Sequence, residues 1–149
     1  MRNASTTSLP PTGRSSIIFD VSPQIEPLFN LKDYDGNIRK DISSHLNENL
    51  FKEEILKQVQ NNGSIQLDFF PEKEIYKLST EISPMSHIKM LEAFQKFTDE
   101  AVSKTINLPK NITKQEIQNL FLYVLNNKYL KGISIYKDGS YNKQPISLQ

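Results

Sequence analysis

Two short alternating segments, held apart by one well-marked helix, constrain the fold of this chain most. Ser103-Lys104-Thr105-Ile106-Asn107-Leu108 alternates polar and apolar side chains as a half-buried strand does, and Pro109 ends it. Lys131-Gly132-Ile133-Ser134-Ile135-Tyr136 alternates in the same way, and Asp138-Gly139 turns the chain out of it. Between them Thr113-Lys114-Gln115-Glu116 is a capping box, threonine at the cap and glutamate three residues on. The helix it opens sets Ile117, Leu120, Phe121, Val124 and Leu125 on one stripe, and Asn126-Asn127 closes it. Strands joined through a helix lie parallel, with a right-handed crossover. Residues 103–136 are therefore expected to form a βαβ unit, and the fold class is α/β.

A second helix precedes this unit. Ser83 suits its cap and Pro84 its first position. Ile88, Leu91, Phe94, Gln95 and Thr98 share a face that Met90, Phe97 and Ala101 widen, so the helix is expected to reach about Asp99 or Val102, with its aromatic residues in the core. At the other end, residues 2–9 read as a strand of small side chains, which suits close approach to a ligand or a crowded barrel interior. Pro10-Pro11-Thr12-Gly13 is a turn, and Ile17-Ile18-Phe19 suit the first turns of a helix. Pro23 and Pro27 force irregular structure, and Asp33-Tyr34-Asp35-Gly36-Asn37 signals a turn. A polar helix carrying Leu46, Leu50, Phe51, Ile55 and Val59 follows and stops at Asn61-Asn62-Gly63. The tail from Tyr141, residues 141–149, is expected to be loose.

Composition narrows the function. The 149 residues suit one domain. Lysine and arginine number 18 against 17 acids, a net charge of +1, so no polyanion-binding surface is expected and DNA and RNA are not expected partners. There are 0 cysteines, which excludes a disulfide scaffold, a thiolate metal site and thiol chemistry by this chain alone. The 2 histidines, His45 and His87, are too few for a histidine-rich metal site. No run approaches the roughly 18 apolar residues of a membrane span, the best being Leu120 to Leu125, so no membrane is expected. Met1 to Phe19 carries Arg2 and Arg14, many hydroxyl residues and no acid, a composition shared with transit peptides, yet Pro10-Pro11 and Gly13 break the amphipathic helix such a peptide needs. A cytoplasmic location is expected. The Asn-x-Ser/Thr triplets at Asn3 and Asn111 follow from the abundance of those residues.

The sharpest candidate site is Pro11-Thr12-Gly13-Arg14-Ser15-Ser16, between a strand and a helix. A glycine turn at a helix start presents unbonded N–H groups and partial positive charge. Thr12, Ser15 and Ser16 add hydroxyls, and Arg14 is able to clamp two phosphate oxygens. The Gly-x4-Gly-Lys pattern of a P-loop is missing, and an ordinary strand-to-helix turn explains the same residues. His87 suits packing or capping better than chemistry, and Asp99, Lys104 and Lys131 suit structural ion pairs or solvated charges. No catalytic triad, carboxylate pair or metal spacing stands out.

Ordered blocks of the chain resemble a known family. Arg2-Asn3-Ala4, Pro11-Thr12-Gly13 and Ile25-Glu26-Pro27-Leu28-Phe29 are similar to consecutive motifs of vitamin B12-dependent (class II) ribonucleotide reductases. His87-Ile88-Lys89-Met90, Gln95-Lys96-Phe97-Thr98-Asp99 and Ala101-Val102-Ser103-Lys104-Thr105-Ile106-Asn107-Leu108-Pro109 resemble that family's carboxy-terminal signature, and Lys131 to Ser140 resembles the strand after it. The likeness covers nearly the whole chain, only loosely over 33–80, and the long Ala101–Pro109 block is its most specific part.

The resemblance implies the carboxy-terminal portion of a ten-stranded α/β barrel, with the βαβ unit as its last strands. It would form one partial barrel domain over 1–140: phosphate loop 10–16, variable middle 33–80, and terminal helix-strand-helix-strand 83–136. It implies reduction of ribonucleotides to 2′-deoxyribonucleotides, started by adenosylcobalamin, and substrate-phosphate contacts at Thr12, Gly13, Arg14, Ser15 and Ser16. Two departures matter. Arg14-Ser15 stands where the family usually has Thr-Ile, and the family's thiyl-radical and reducing cysteines have no counterpart here. The chain is therefore expected to act as a reductase fragment that binds ribonucleotide but holds no adenosylcobalamin alone. An amino-terminal reductase chain would complete the barrel and supply the cysteines and most of the cobalamin site. The alternative is a non-catalytic nucleotide-binding or interaction remnant. Open parallel edges also predict self-association into oligomers.

Overall fold

The computed structural model describes residues 3–19, 21–32, 37–40, 42, 52–62 and 76–140. In chain order these hold α1 (Gly13–Phe19), α2 (Lys52–Asn62), α3 (Pro84–Gln95), β1 (Thr105–Leu108), α4 (Lys114–Leu125) and β2 (Ser134–Lys137). β1 and β2 pair in parallel, Thr105 beside Ser134 and Leu108 beside Lys137, so the expected βαβ unit is present. Its helix starts where the capping box stands. Glu116 N–H donates to Thr113 Oγ1 at 3.2 Å, and Thr113 N–H donates to Glu116 Oε2 at 2.8 Å. Both donors lack a partner within the helix, and this exchange supplies one.

Ile106 and Leu108 of β1 enter a core with Ile88 of α3 and with Leu120 and Val124 of α4. Strand alternation places Thr105 and Asn107 on the opposite face, where Asn107 is still only 5% exposed. A second cluster joins Leu31, Ile42 and Tyr76 to Ile55 and Val59 of α2. The expected turn near 33–37 is flanked by an antiparallel bridge from Lys32 to Ile38, although residues 33–36 lie outside the described residues. Leu46, Leu50, Phe51, Gly63 and the tail from Tyr141 lie outside them too.

Three expectations need correction. Of the segment 2–9, residues 3–9 are described and do not form a strand ladder: Leu9 bridges Val102 in parallel, and the Thr6 and Thr7 N–H groups go to the Asp99 carboxylate at 2.9 and 3.1 Å. A side chain that takes both donors removes them from strand pairing. α3 ends at Gln95, short of Asp99. There the buried Gln95 amide donates to the Thr98 and Glu100 carbonyls at 3.1 and 2.8 Å and accepts the Val102 N–H at 3.0 Å, turning the chain toward β1. The aromatic residues of the helices are not all core. Phe97 is 86% exposed, Phe94 39% and Phe121 45%, and the aliphatic Leu125 is 78% exposed. The two strands of the sheet cover only a narrow stripe of each helix.

Candidate functional site

The 10–16 loop is built from a proline pair and the first turn of α1. Pro10 and Pro11 carry no N–H, and the Pro10 carbonyl accepts no backbone N–H among the described residues. α1 begins at once, with Ser16 N–H donating to Thr12 O at 2.8 Å. The N–H groups of Gly13, Arg14 and Ser15 make no hydrogen bond with another described residue, as first-turn amides do not. Arg14 and Ser15 are exposed. Thr12 is half-buried, and its Oγ1 accepts the Gln24 N–H at 3.1 Å, which leaves its own O–H able to donate. Ser16 is buried, and its hydroxyl donates to Gly13 O at 2.7 Å, so it holds the turn together.

Gly13 was expected to permit a tight turn, yet the described glycine with positive φ is Gly139. A Cβ at Gly13 would meet nothing within 4 Å, so what this glycine contributes is open space beside the α1 amides. The left-handed residue near the loop is Gln24, at φ 47°. Nothing in its sequence context marks it, because glutamine is not a usual occupant of that region.

A polar contact that sequence spacing did not reveal joins the turn at Pro23–Glu26 to the start of β1. Lys104 Nζ meets Glu26 Oε2 at 2.9 Å, the two side chains being 1% and 12% exposed. The other Glu26 oxygen accepts the Thr105 N–H at the start of β1. Of the structural ion pair and the solvated charge that suit Lys104 by sequence, the structure shows the pair, with a partner 78 residues away. An acid close to Arg14 in sequence, Asp20 or Glu26, would block the loop by pairing with it; Glu26 is taken by Lys104 and Thr105, and Asp20 lies outside the described residues. His87 is 1% exposed and donates Nε2–H to the Ser79 carbonyl at 3.1 Å. Burial lowers its pKa, the nearby Lys104 charge acts in the same direction, and the Ser79 bond opposes them. The ring is a packing histidine.

Asp99 closes the neighbouring junction. It accepts from Thr6 N–H, Thr6 hydroxyl and Thr7 N–H, and these bonds pull its pKa down to about 2. Lys131 Nζ donates to the Asp99 carbonyl. A carboxylate with a depressed pKa contributes stability that is complete above its unfolded value and lost as pH falls through its folded value. Asp99→Ala should therefore melt below the parent at neutral pH, and the gap should close between about pH 4, the unfolded carboxylate value, and pH 2. Thermal melts across that range check this; a gap independent of pH would count against it.

The comparisons with known proteins bear on the whole chain. Residues 1–136 match the family described as ribonucleotide reductase, barrel domain. A vitamin B12-dependent ribonucleoside-diphosphate reductase of Thermoplasma acidophilum is 32% identical over 99% of this chain and 20% of its own length. One from Mycobacterium tuberculosis is 28% identical over 98% of this chain and 22% of its own length. Among solved structures, the alpha subunit of the Actinobacillus ureae class Id ribonucleotide reductase is similar at a TM-score of 0.74 and 30% identity, over 93% of this chain and 27% of that one. The chain thus spans about a fifth of the length of the B12-dependent relatives it matches. The α/β fold expected from its sequence is the one it shares with the Actinobacillus subunit. No helix among the described residues is long and apolar enough to cross a membrane.

Proposed function

Because the chain belongs to the ribonucleotide reductase barrel-domain family, matching it over residues 1–136 and resembling the carboxy-terminal part of the B12-dependent catalytic chain, we propose that it supplies scaffold and substrate-phosphate contacts to such a reductase. The observation that carries this reading is the start of α1. Three consecutive backbone N–H groups, at Gly13, Arg14 and Ser15, have no partner among the described residues and lie beside the open space at Gly13. A ribonucleotide phosphate there would be held by those amides, the Thr12 and Ser15 hydroxyls and the Arg14 guanidinium, with Ser16 shaping the turn.

The remaining chemistry is assigned to a second chain. With 0 cysteines this chain supplies neither radical nor reductant by the family's thiol route. Most of the adenosylcobalamin site is assigned to that second chain as well; among the described residues His87 is buried and committed to Ser79. The partner would be an amino-terminal reductase chain that pairs with the open strand edges. Two parallel strands seldom stand without further strands beside them. The missing cysteines equally favour the second reading, a nucleotide-binding or interaction remnant. A neighbouring reading frame that encodes the rest of the barrel with its cysteines would separate the two.

The loop has a direct test. A ribonucleoside diphosphate should bind weakly and lose affinity as salt is added. Arg14→Ala should weaken it by about 1.5–3 kcal/mol, the range for hydrogen bonds to charged groups. Arg14→Thr, which restores the residue usual in the family, should keep part of the affinity. Titration calorimetry reads all three. If Arg14→Thr binds better than the parent, the arginine obstructs the site and the remnant reading gains.

A further inference from the structure

We propose that Gln24 is a positioning residue, a latch that fixes the proline turn so that the α1 amides and the Thr12 hydroxyl present one geometry. The inference rests on the phosphate reading of that loop, and it begins from a shortage of donors. Pro10 and Pro11 have no N–H, and no backbone N–H among the described residues bonds the Pro10 carbonyl. Gln24 supplies what the turn lacks. Its side-chain Nε2 donates to the Pro10 carbonyl and, at 3.5 Å, reaches the Leu9 carbonyl. Its backbone N–H donates to Thr12 Oγ1 at 3.1 Å. One residue thus contacts three consecutive parts of the loop: the end of the N-terminal segment, the proline pair and the cap of α1.

The backbone at Gln24 is strained to make these contacts. Its φ of 47° lies in the left-handed region, which glycine occupies at no steric cost and glutamine does not. Gln24 is the first central residue of the turn closed by Glu26 N–H on the Pro23 carbonyl at 3.1 Å, and two residues on Glu26 is anchored to Lys104 and Thr105. The turn is therefore pinned to β1 on one side and reaches the loop with Gln24 on the other. A side chain held at a position where glycine would be cheaper, and donating to the Pro10 carbonyl, which no backbone N–H among the described residues reaches, has a positioning role. By accepting from Gln24, the Thr12 oxygen keeps its own hydrogen for another acceptor.

Four variants of the full chain test this. Gln24→Gly removes the latch and relieves the backbone, Gln24→Ala removes the latch and keeps the left-handed strain, and Gln24→Glu keeps the shape but cannot donate to a carbonyl. Each is measured by thermal melting, by amide hydrogen exchange over residues 12–16 and by affinity for inorganic phosphate. Gln24→Gly should melt no lower than the parent, yet exchange faster at 12–16 and bind phosphate about 3- to 10-fold more weakly, the effect of one net hydrogen bond. Gln24→Glu should show the same loss, and Gln24→Asn, which keeps an amide and tolerates positive φ, should recover part of it. A loss of affinity without a loss of melting temperature is what a purely structural residue would not produce. Unchanged exchange and affinity in Gln24→Gly and Gln24→Glu overturn the latch. If the parent binds no phosphate, the functional reading of the loop fails, and the exchange data alone decide the latch: faster exchange at 12–16 upholds it and unchanged exchange overturns it.

Discussion

Incubated with a ribonucleoside diphosphate, adenosylcobalamin and a dithiol, the purified chain is expected to form no deoxyribonucleotide. The family route, as the resemblance implies it, removes the substrate's 3′ hydrogen with a cysteine-derived thiyl radical and reduces the product radical with a cysteine pair. This chain has 0 cysteines. No other side chain replaces a thiol in both roles, because only a thiol forms a radical and also closes to a disulfide. The effect is all or none. Adding a chain that carries the cysteines and the rest of the barrel should bring turnover back, and Arg14→Ala in that mixture should reduce it through weaker substrate binding. Turnover by the chain alone, surviving removal of any contaminating reductase, sinks the proposal that the chemistry lies elsewhere. A mixture that stays inactive despite stable association favours the remnant reading.

Glu26→Ala should destabilise the chain by about 3–5 kcal/mol, the usual result of removing one partner of a buried ion pair. Lys104 is held at a side-chain exposure of 1%, and Glu26 is its partner at 2.9 Å. The same carboxylate accepts the first N–H of β1, so the alanine variant also leaves a strand donor unbonded. With total stabilities of roughly 5–15 kcal/mol for ordinary domains, such a loss is a large fraction of the whole. Glu26→Gln keeps an oxygen for the Thr105 N–H and should lose less. Replacing both partners, Glu26→Leu with Lys104→Met, should recover most of the stability, because no buried charge is then left alone. Urea unfolding of the four proteins measures the series. A cost for Glu26→Ala below about 1 kcal/mol, as for an exposed pair, would mean that water reaches Lys104 and that the pair does not hold the turn against β1.

The local grammar was legible where it is written within a few residues. The capping box at Thr113–Glu116, the Ser83-Pro84 helix start and the two alternating strands all appear in the structure. Each is decided by neighbours close in sequence, through side-chain to backbone bonds or the two-residue alternation of a strand. The stop of α3 was not legible in this way. Gln95 looked like one more residue on an apolar face, yet its amide bonds to carbonyls at Thr98 and Glu100 and so ends the helix. The 2–9 segment failed for a similar reason: its donors at Thr6 and Thr7 go to Asp99, 93 and 92 residues away.

The sequence by itself determined the βαβ unit, the helix caps, the absence of thiol chemistry and, through the order of its motifs, the family. These depend on short spacing or on composition, which no tertiary arrangement alters. Only the tertiary structure decided how the candidate loop is held. It gave Gly13 open space in place of a left-handed turn, turned the Ser16 hydroxyl inward onto Gly13, and set Gln24 at φ 47° against the proline carbonyls. It also joined Glu26 to Lys104 across 78 residues. The Gln24 and Glu26 contacts join segments that lie apart in sequence, and no local pattern encodes which donor will reach the Pro10 carbonyl or which acid will meet Lys104.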